Sequence, residues 1–461
     1  MKITLEQMLA ARDRRADIQN EMLARGGQAG GDFCLACLTL NIAGDVKRSP
    51  MIRMLFDRGL AEFDKLGLPV REHLEIDEDT GCEAFWLIEG NAEEVKGLLE
   101  RVEEDENIIA ARLFDFDVMK SGGANGGSGG AYENAAVDGS FAPIKLSRSG
   151  GRKCLLCESP AAECSRSRRH GLDAVKAETS RLLSEFCAKT LAAAACDSLI
   201  AELETTPKPG LVDLNNNGAH KDMDVDLLRR STEALRPYFR DAALLGMKGC
   251  SMKELRPRGI EAEKEMFAAT GGVNTHKGII YSMGLLLAGM GKLISASESA
   301  SHAFYSALNN AAELAAEDAE KELRKSKEAP VSHGGEVYKT YGIKGATGEA
   351  VSGFPNAVYC AERLEHYKKI TDASTAGVFA LTDSMARLDD TNLLHRGGAE
   401  GIEFARASAA ETADLPEAER MRAIEALDDE MIKRNLSPGG SADMLALAYM
   451  LEKWKELSRR L

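Results

Sequence analysis

The sequence predicts two domains of different class, an N-terminal α+β domain followed by an all-α helical domain. The chain has 461 residues, and at roughly 100–200 residues per domain this length favours two to four domains over one. Strand-like apolar runs occur before residue 120, whereas long stretches rich in Ala, Leu and Glu dominate after residue 173. We therefore predict domains of residues 1–172 and 173–461.

The first domain is predicted to have the element order of a ferredoxin-like βαββαβ fold after an initial helix. Ser49 and Asn91 are suited to begin helices because their side-chain oxygens accept hydrogen bonds from free N–H groups. The predicted elements are, in order, a helix, a strand, a helix, two strands, a helix and a strand, at residues 4–25, 34–42, 50–63, 70–76, 83–88, 91–102 and 112–118. Residues 121–130 are mostly glycine and are predicted to form a flexible loop.

The second domain is predicted to consist of helices separated by glycine-rich polar segments. The helices are predicted at residues 173–204, 225–246, 259–269, 277–295, 299–327, 357–368, 374–388, 399–411, 415–434 and 441–459. The segments lie at residues 206–213, 217–224, 269–278, 345–349, 388–398 and 434–443. Helix caps and turns explain each segment alone equally well, but six of them in one domain favour a binding site.

The composition argues against nucleic-acid and membrane partners. Acidic residues exceed basic ones by 73 to 58, and a nucleic-acid binder needs a basic surface. The longest uncharged apolar stretch, residues 278–291, is too short to span a membrane, and residues 1–13 do not resemble a signal peptide. We therefore expect a cytoplasmic protein whose ten cysteines are core thiols, metal ligands or reactive thiols rather than disulfides.

The glycine-rich segments combine groups that suit a phosphate-bearing ligand. Backbone N–H groups at glycine turns before helices bind phosphate, and neighbouring lysines add positive charge. Carboxylates such as those of Asp222, Asp224, Asp389 and Asp390 suit Mg²⁺, which prefers oxygen ligands. The segments differ from the Walker A and Rossmann phosphate-binding patterns.

Two groups in the first domain could bind metal. Four potential zinc ligands follow one another closely in the sequence: Cys154, Cys157, Cys164 and His170. Their spacing is irregular for a zinc knuckle, so packed thiols are the favoured interpretation and zinc is the alternative. Asp115 and Asp117 alternate along one predicted strand and share a face, where they could hold a metal ion or simply face solvent.

Both halves of the chain resemble enzymes of citrate lyase maturation. Residues 180–461 resemble triphosphoribosyl-dephospho-CoA synthase, through residues 207–213, 218–223, 272–278, 390–392, 396–398 and 434–443. Residues 1–172 resemble citrate lyase holo-acyl-carrier-protein synthase, also called apo-citrate lyase phosphoribosyl-dephospho-CoA transferase. That similarity is carried by Gly44, Lys47, Arg53, residues 112–118 and 146–148, Arg152, and the segment from Cys154 to His170. Together the resemblances imply a bifunctional fusion of two consecutive enzymes.

For the second domain, the resemblance implies a reaction of ATP with 3'-dephospho-CoA that gives 2'-(5''-triphosphoribosyl)-3'-dephospho-CoA and adenine. The carboxylates expected to bind Mg²⁺ or act as the base are Asp222 and Asp390, with Glu263 or Asp443. The residues expected to hold the phosphates, ribose or base are Lys208, Lys221, Gly271, Gly272, Asn274, His276, Lys277, Asn392, Arg396, Asn435, Ser437, Gly439, Gly440 and Ser441.

For the first domain, the resemblance implies transfer of the prosthetic group to a serine of the acyl carrier (gamma) subunit of citrate lyase, with release of diphosphate. The residues expected to hold the triphosphate are Lys47, Arg53, Arg112, Arg148 and Arg152. Asp115 and Asp117 are the expected Mg²⁺ ligands.

Two alternatives remain open from the sequence. The second domain also resembles the synthase that serves malonate decarboxylase, although the first domain does not resemble the transferase of that system. A nucleotide-sensing scaffold without catalysis is the other alternative, which the intact acidic, lysine and glycine segments disfavour.

Overall fold

The computed structural model describes residues 3–29, 32–121, 143–148, 150–296, 303–328 and 333–460. The predicted flexible loop at 121–130 lies, from residue 122 onward, outside this description. The chain forms two compact units, one made mainly of residues 1–187 and the other mainly of residues 188–295 and 300–460. The division falls inside a continuous helix, Leu172–Glu204, rather than at its start, where the sequence analysis placed it.

The first unit contains a five-stranded antiparallel sheet and several helices. Its elements are α1 (Leu5–Ala29), β1 (Phe33–Leu40), α2 (Pro50–Asp64), β2 (Val70–Glu78), β3 (Gly81–Glu89), α3 (Ala92–Glu103), β4 (Phe114–Ser121), β5 (Pro143–Lys145), α4 (Ala161–Ser167) and the beginning of α5 (Leu172–Glu204). The strands lie in the order β2-β3-β1-β4-β5. The short strand β5 was not predicted, because three residues are too few to display a period.

Helices cover both faces of this sheet. Met22 and Leu23 of α1 pack against Leu35 and Phe85, which point to one face. On the other face, a Cβ at Gly59 of α2 would lie 2.7 Å from Leu38 Cδ2, so α2 packs closely there. The double coverage explains why β1 and β3 are continuously apolar rather than alternating.

The second unit is helical, and its described residues contain no β-strand. After the end of α5 its helices are α6 (Val225–Met247), α7 (Met252–Thr270), α8 (Lys277–Ser295), α9 (Ala303–Ala316), α10 (Ala319–Glu328), α11 (His333–Tyr341), α12 (Gly345–Val351), α13 (Pro355–Tyr367), α14 (Ala373–Met385), α15 (Thr391–Thr412), α16 (Glu417–Lys433) and α17 (Gly439–Ser458). Among the described residues, α8 alone is long and apolar enough to cross a membrane, but 78% of its apolar window is buried, as in a core helix.

Local capping explains where the helices differ from the prediction. The helix α7 begins before residue 259 because Ser251 and Glu254 form a reciprocal capping box. The predicted helix 299–327 is divided into α9 and α10. The segment at 345–349 opens α12, and Glu349 accepts hydrogen bonds from the backbone N–H groups of Asn356 (2.7 Å) and Ala357 (3.2 Å). This segment therefore caps α13.

Candidate active sites

Asp390 joins the N-termini of two helices in the second unit. One carboxylate oxygen accepts hydrogen bonds from the N–H groups of Asn392 (2.9 Å) and Leu393 (3.3 Å), which caps α15. The other accepts from the N–H (2.8 Å) and the hydroxyl (3.1 Å) of Ser441 in α17. Burial raises the pKa of Asp390, and these four donors act against that increase. Each oxygen of Asp390 therefore accepts two hydrogen bonds, and the residue links the N-termini of α15 and α17.

The glycine pair at the start of α17 allows this link to form. A Cβ at Gly439 would lie 2.4 Å from Nδ2 of Asn392, and one at Gly440 would lie 3.0 Å from the carboxyl carbon of Asp390. A larger residue at Gly439 would force the Asn392 side chain to move. The two glycines thus serve close packing of the helix ends, a role that a phosphate-loop pattern does not reveal.

Asp443 lies one turn further along α17 in a different electrostatic setting. Burial and the negative charges of Asp390 and Glu202 raise the pKa of Asp443 well above its ordinary value. Within the described part of the chain, no group donates a hydrogen bond to this carboxylate. A Cβ at Gly278, in the first turn of α8, would lie 2.2 Å from its Oδ2 atom, so the α8 backbone approaches the carboxylate closely.

Lys208 and His276 both form hydrogen bonds near these carboxylates. The buried ammonium of Lys208 donates to Glu202 Oε1 (2.5 Å) and to the Glu202 carbonyl (2.8 Å). Nδ1 of His276 lies 2.7 Å from the hydroxyl of Ser231. Burial and the charge of Lys208 lower the pKa of His276 to about 4, so this imidazole is neutral at pH 7. Glu202 and Ser231 could not be recognised from the sequence, because they lie within ordinary helical periodicity.

Arg396 gathers three of the glycine-rich segments at the same end of α17. Its Nη1 atom donates to the carbonyl of Ala219 (3.0 Å) and to Oδ1 of Asn435 (3.2 Å), and its Nη2 atom lies 3.2 Å from Nδ1 of His220. The other ring nitrogen of His220 lies 2.9 Å from the hydroxyl of Ser437. Burial and Arg396 lower the pKa of His220 to about 4, so the imidazole is neutral beside this cation.

Other predicted residues lie further from this arrangement. Lys221, Asp222 and Asn274 are exposed. Gly271 ends α7 in the left-handed conformation, with Gly272 next to it, and both adjoin open space. Lys277 forms a partly exposed ion pair with Glu263 at 3.0 Å.

Glu103 is the centre of the basic cluster in the first unit. Its buried carboxylate lies 2.7 Å from Arg148 Nη1 and 3.1 Å from Arg152 Nη2, and it accepts the N–H of Phe116 at 2.6 Å. Arg152 also contacts Asp115 at 2.9 Å. Burial raises the pKa of Glu103 despite the two arginines. Glu103 could not be recognised from the sequence, because a glutamate at the end of a helix is ordinary.

The remaining candidates of the first unit each have a partner. Arg112 donates to the carbonyl of Cys154 at 2.5 Å. The buried guanidinium of Arg53 pairs with Asp57 (2.6 Å) and Glu75 (2.5 Å). Lys47 donates to the carbonyl of Ile42, and Asp117 pairs with Lys145 at 2.6 Å. Asp115 and Asp117 are thus each neutralised by a different cation.

The cysteine segment converges on one point. One ligand atom from each of four residues lies within 4.8 Å of the others: Cys154, Cys157, Cys164 and His170. The sulfur of Cys157 lies 3.5 Å from that of Cys164 and 3.3 Å from Nε2 of His170. The segment therefore brings together three thiols and one imidazole, a set of groups suited to binding a metal ion.

The sheet unit carries an arginine cluster and the helical unit carries an acidic pair, and comparison with known proteins identifies the chain as a two-domain transferase. The family model for ATP:dephospho-CoA triphosphoribosyl transferase (CitG) matches residues 188–460. The model for apo-citrate lyase phosphoribosyl-dephospho-CoA transferase (CitX) matches residues 3–128 and 143–186. The chain is 31% identical to protein CitXG of Haemophilus influenzae, over 97% of this chain and 95% of that protein.

The chain belongs to the CitXG family of fused transferases. It is also 35% identical to the 2-(5''-triphosphoribosyl)-3'-dephosphocoenzyme-A synthase of Haemophilus ducreyi, over 63% of this chain and 97% of that protein. A probable synthase of the same description from Albidiferax ferrireducens is 40% identical over 56% of this chain and 89% of its own length. The chain is therefore a bifunctional transferase that makes the triphosphoribosyl-dephospho-CoA group and attaches it to citrate lyase.

Proposed function

We propose that the second unit joins ATP to 3'-dephospho-CoA at the adjoining N-termini of α8, α15 and α17. The observation that carries this proposal is Asp443, a partly exposed carboxylate that accepts no hydrogen bond from the described residues and has a raised pKa. Such a group is a stronger base than an exposed aspartate, and perturbed carboxylates of this kind cluster at active sites.

The proposed reaction begins with the 2'-hydroxyl of dephospho-CoA, whose proton passes to Asp443. The hydroxyl oxygen forms a bond to the anomeric carbon of the ATP ribose, while the bond from that carbon to adenine breaks. Adenine leaves with the electron pair and takes a proton from solvent. Positive charge develops on the ribose in the transition state, and the negative charge of Asp443 stabilises it while the proton is being transferred. Asp390 acts here as a positioning residue.

The triphosphate is assigned to Arg396, together with two lysines of the glycine-rich segments. Lys221 belongs to segment 217–224 and Lys277 to segment 269–278. Arg396 is half-buried, and in the described structure its partners are carbonyl, amide and imidazole groups rather than a carboxylate. Its positive charge is therefore available for phosphate oxygens through charge-assisted hydrogen bonds. Ser437 and Asn435 supply further polar contacts beside it.

Mg²⁺ fits one of the two carboxylates expected to bind it. Asp222 is exposed and lies close to the Arg396 and His220 group, with its Oδ1 atom 3.9 Å from Nδ1 of His220. Asp390 fits poorly, because both of its oxygens already accept two hydrogen bonds. When bound, Mg²⁺ would neutralise charge on the triphosphate, and Asp222 would hold it there.

We propose that the first unit is a ferredoxin-like domain, extended by α1 and β5, that transfers the prosthetic group. Strand order β2-β3-β1-β4 with crossing helices α2 and α3 supports that assignment. Arg112, Arg148 and Arg152 hold the triphosphate. The carrier serine oxygen forms a bond to the phosphorus nearest the ribose, and the bond to diphosphate breaks. Asp115, partly exposed beside Arg152, takes the serine proton.

We also propose that the protein acts in the cytoplasm. The test combines both reactions in one vessel under conditions that resemble the cytoplasm. The full chain is incubated with ATP, Mg²⁺, 3'-dephospho-CoA and the apo carrier subunit. Adenine is measured by chromatography and the carrier by intact-mass analysis. We expect adenine release and a carrier mass increased by the prosthetic group. ATP binding without adenine release would contradict the catalytic assignment, and modification of a malonate decarboxylase carrier alone would contradict the assigned client.

A further inference from the structure

The loop that carries Arg152 is held together at its far end by the group of Cys154, Cys157, Cys164 and His170. Cys154 and Cys157 lie in the loop, Cys164 lies in α4, and His170 follows the left-handed residue Arg168 that ends α4. All three cysteines are free thiols, and Cys154 and Cys164 are buried. Four ligand atoms from three parts of the segment therefore meet at one point.

The distances within this group are close to those of a tetrahedral zinc site. With Zn–S near 2.3 Å and Zn–N near 2.0 Å, the ligand atoms of such a site lie about 3.5–3.8 Å apart. The sulfurs of Cys157 and Cys164 lie 3.5 Å apart, Nε2 of His170 lies 3.3 Å from the Cys157 sulfur, and all four ligand atoms lie within 4.8 Å. A disulfide between two of the cysteines would leave the other cysteine and the imidazole without a function.

The surroundings also favour a metal-bound thiolate over packed thiols. The backbone N–H of Leu156 points to the sulfur of Cys154 at 3.5 Å, a contact that stabilises negative charge on sulfur. The loop is closed by hydrogen bonds from Cys154 N–H to the Ser159 carbonyl (2.8 Å) and from Ala161 N–H to the Arg152 carbonyl (2.7 Å). Arg169 donates to Ser159 Oγ at 2.7 Å, which places a positive charge beside the thiols.

We propose that this group binds one structural Zn²⁺ through three thiolates and one imidazole. Zinc suits this donor set and its four-coordinate geometry, and a site filled by four protein ligands is structural rather than catalytic. Binding replaces the three thiol protons by the metal, so no oxidant or reductant takes part. The interpretation of these residues as packed thiols, which the sequence favoured, is replaced by a metal site.

The zinc site positions two arginines of the transferase site. The carbonyl of the ligand Cys154 accepts the hydrogen bond from Arg112, and Arg152 lies two residues before Cys154 in the same closed loop. Loss of zinc should loosen that loop and lower transfer to the carrier, while adenine release continues. This consequence rests on the proposed function of the first unit, whereas zinc binding itself does not.

The first experiment measures metal in the full-length chain, purified without chelators, by inductively coupled plasma mass spectrometry. We expect about one zinc per chain in the wild type and in Cys250→Ser, a control that changes a cysteine outside the group. Cys157→Ser and His170→Ala should retain less than about one tenth of that amount. Less than one tenth of an equivalent in the wild type, or equal zinc in all variants, would overturn the proposal.

A second experiment keeps the test independent of whether the variants fold. The wild-type chain is reduced, freed of metal and titrated with Co²⁺. We expect the strong visible absorption of tetrahedral Co²⁺ and a thiolate charge-transfer band, both saturating at one equivalent and removed by Zn²⁺. Absence of these bands would contradict the site, and so would an intact mass, measured before reduction, that is two hydrogens lower because a disulfide links Cys157 and Cys164.

A third measurement separates the site from its consequence. Metal-free and zinc-reloaded protein are compared for transfer of the presynthesised prosthetic group and for adenine release. We expect at least a tenfold loss of transfer that zinc restores, with adenine release unchanged. Zinc binding with equal transfer by both forms would overturn the positioning role alone. Loss of adenine release together with transfer would contradict the local effect of the metal.

Discussion

The two candidate sites balance their charges in opposite ways. In the first unit, Arg148 and Arg152 share the buried Glu103, and Arg152 also pairs with Asp115. In the second unit, Asp443 has two negative neighbours, Asp390 and Glu202, while Arg396 contacts only neutral groups among its described hydrogen-bond partners. The first site is held together by its ion pairs, and the second by helix ends, glycine contacts and hydrogen bonds.

This difference determines what a substrate must do in each site. A triphosphate entering the first unit competes with carboxylates for the same guanidinium groups. In the second unit, a triphosphate meets a cation whose hydrogen-bond partners are neutral, and a hydroxyl meets a carboxylate whose charge is destabilised by desolvation and by its negative neighbours. Charge removal should therefore lower stability in the first unit, whereas in the second it should lower activity with a smaller loss of stability.

The largest expected effect is that of Asp443→Asn. Loss of a general base lowers catalysis by roughly 10²–10⁴-fold, so adenine release should fall by about 10³-fold. The pKa of Asp443 is raised in the folded state, so its protonated form favours folding below the unfolded-state pKa and this contribution is lost as pH rises. At neutral pH the variant should therefore have an equal or higher thermal unfolding midpoint. Asp389→Asn, at an exposed ion pair with Arg406, is the matched control and should retain activity.

The second prediction concerns Arg152→Ala. Carrier modification should fall by about 10²-fold, and the free energy of unfolding should fall by about 1–3 kcal/mol because the buried Glu103 loses a charged partner. Arg396→Ala should weaken ATP use in adenine release with a smaller loss of stability. The free energy of unfolding of both variants is measured with denaturant, alongside the assays of carrier modification and adenine release. Equal loss of stability in the two variants would remove the distinction between the sites.

The third prediction concerns the space beside Asp443. Gly278→Ala places a methyl carbon only 2.2 Å from the Oδ2 atom of Asp443, so the carboxylate must move. Adenine release should fall by about tenfold, since small misplacements of a catalytic group are costly. Gly97→Ala is the control, because this position in α3 adjoins open space and alanine favours helix there. Normal adenine release by Gly278→Ala would argue against Asp443 as the base.

The smallest expected effect is a shift in pH dependence. The negative charge of Glu202 contributes to the raised pKa of Asp443, so Glu202→Gln should lower that pKa. The acidic limb of kcat/KM for adenine release should move to lower pH by less than about one unit. Lys208 then loses its carboxylate partner, and its positive charge lowers the pKa of Asp443 as well. Glu204→Gln, which changes an exposed carboxylate of the same helix, should leave the limb in place.

Residue patterns along the chain were sufficient to predict the alternating elements of the first unit and the helical character of the second. They also identified the segments that meet at α17, because Asp390, Arg396 and Ser437 stand out from ordinary caps. The roles within those segments could not be predicted. Asp390 and Asp443 look alike in the sequence, and only the donors that surround one and not the other separate a residue that links two helices from a candidate base.

Long-range partners were the part that local sequence could not supply. Glu103 and Glu202 occur in helices with unremarkable periodicity, and each gains significance only from basic residues brought to it by the fold. For the same reason, the spacing of the four zinc-ligand candidates could not reveal that they meet, since α4 and the turn after it, rather than a regular knuckle, bring Cys164 and His170 to the loop.

The most direct test of two separate sites is intact-mass analysis of the apo carrier after reaction with complementary variants. With ATP and 3'-dephospho-CoA, we predict that Asp443→Asn leaves the carrier unmodified yet modifies it when the presynthesised prosthetic group is supplied. Arg112→Ala should release adenine but leave the carrier unmodified from either source. A mixture of the two variants should restore full modification. If either variant loses both activities, or if the mixture stays inactive although both proteins are folded, the account of two independent sites is contradicted.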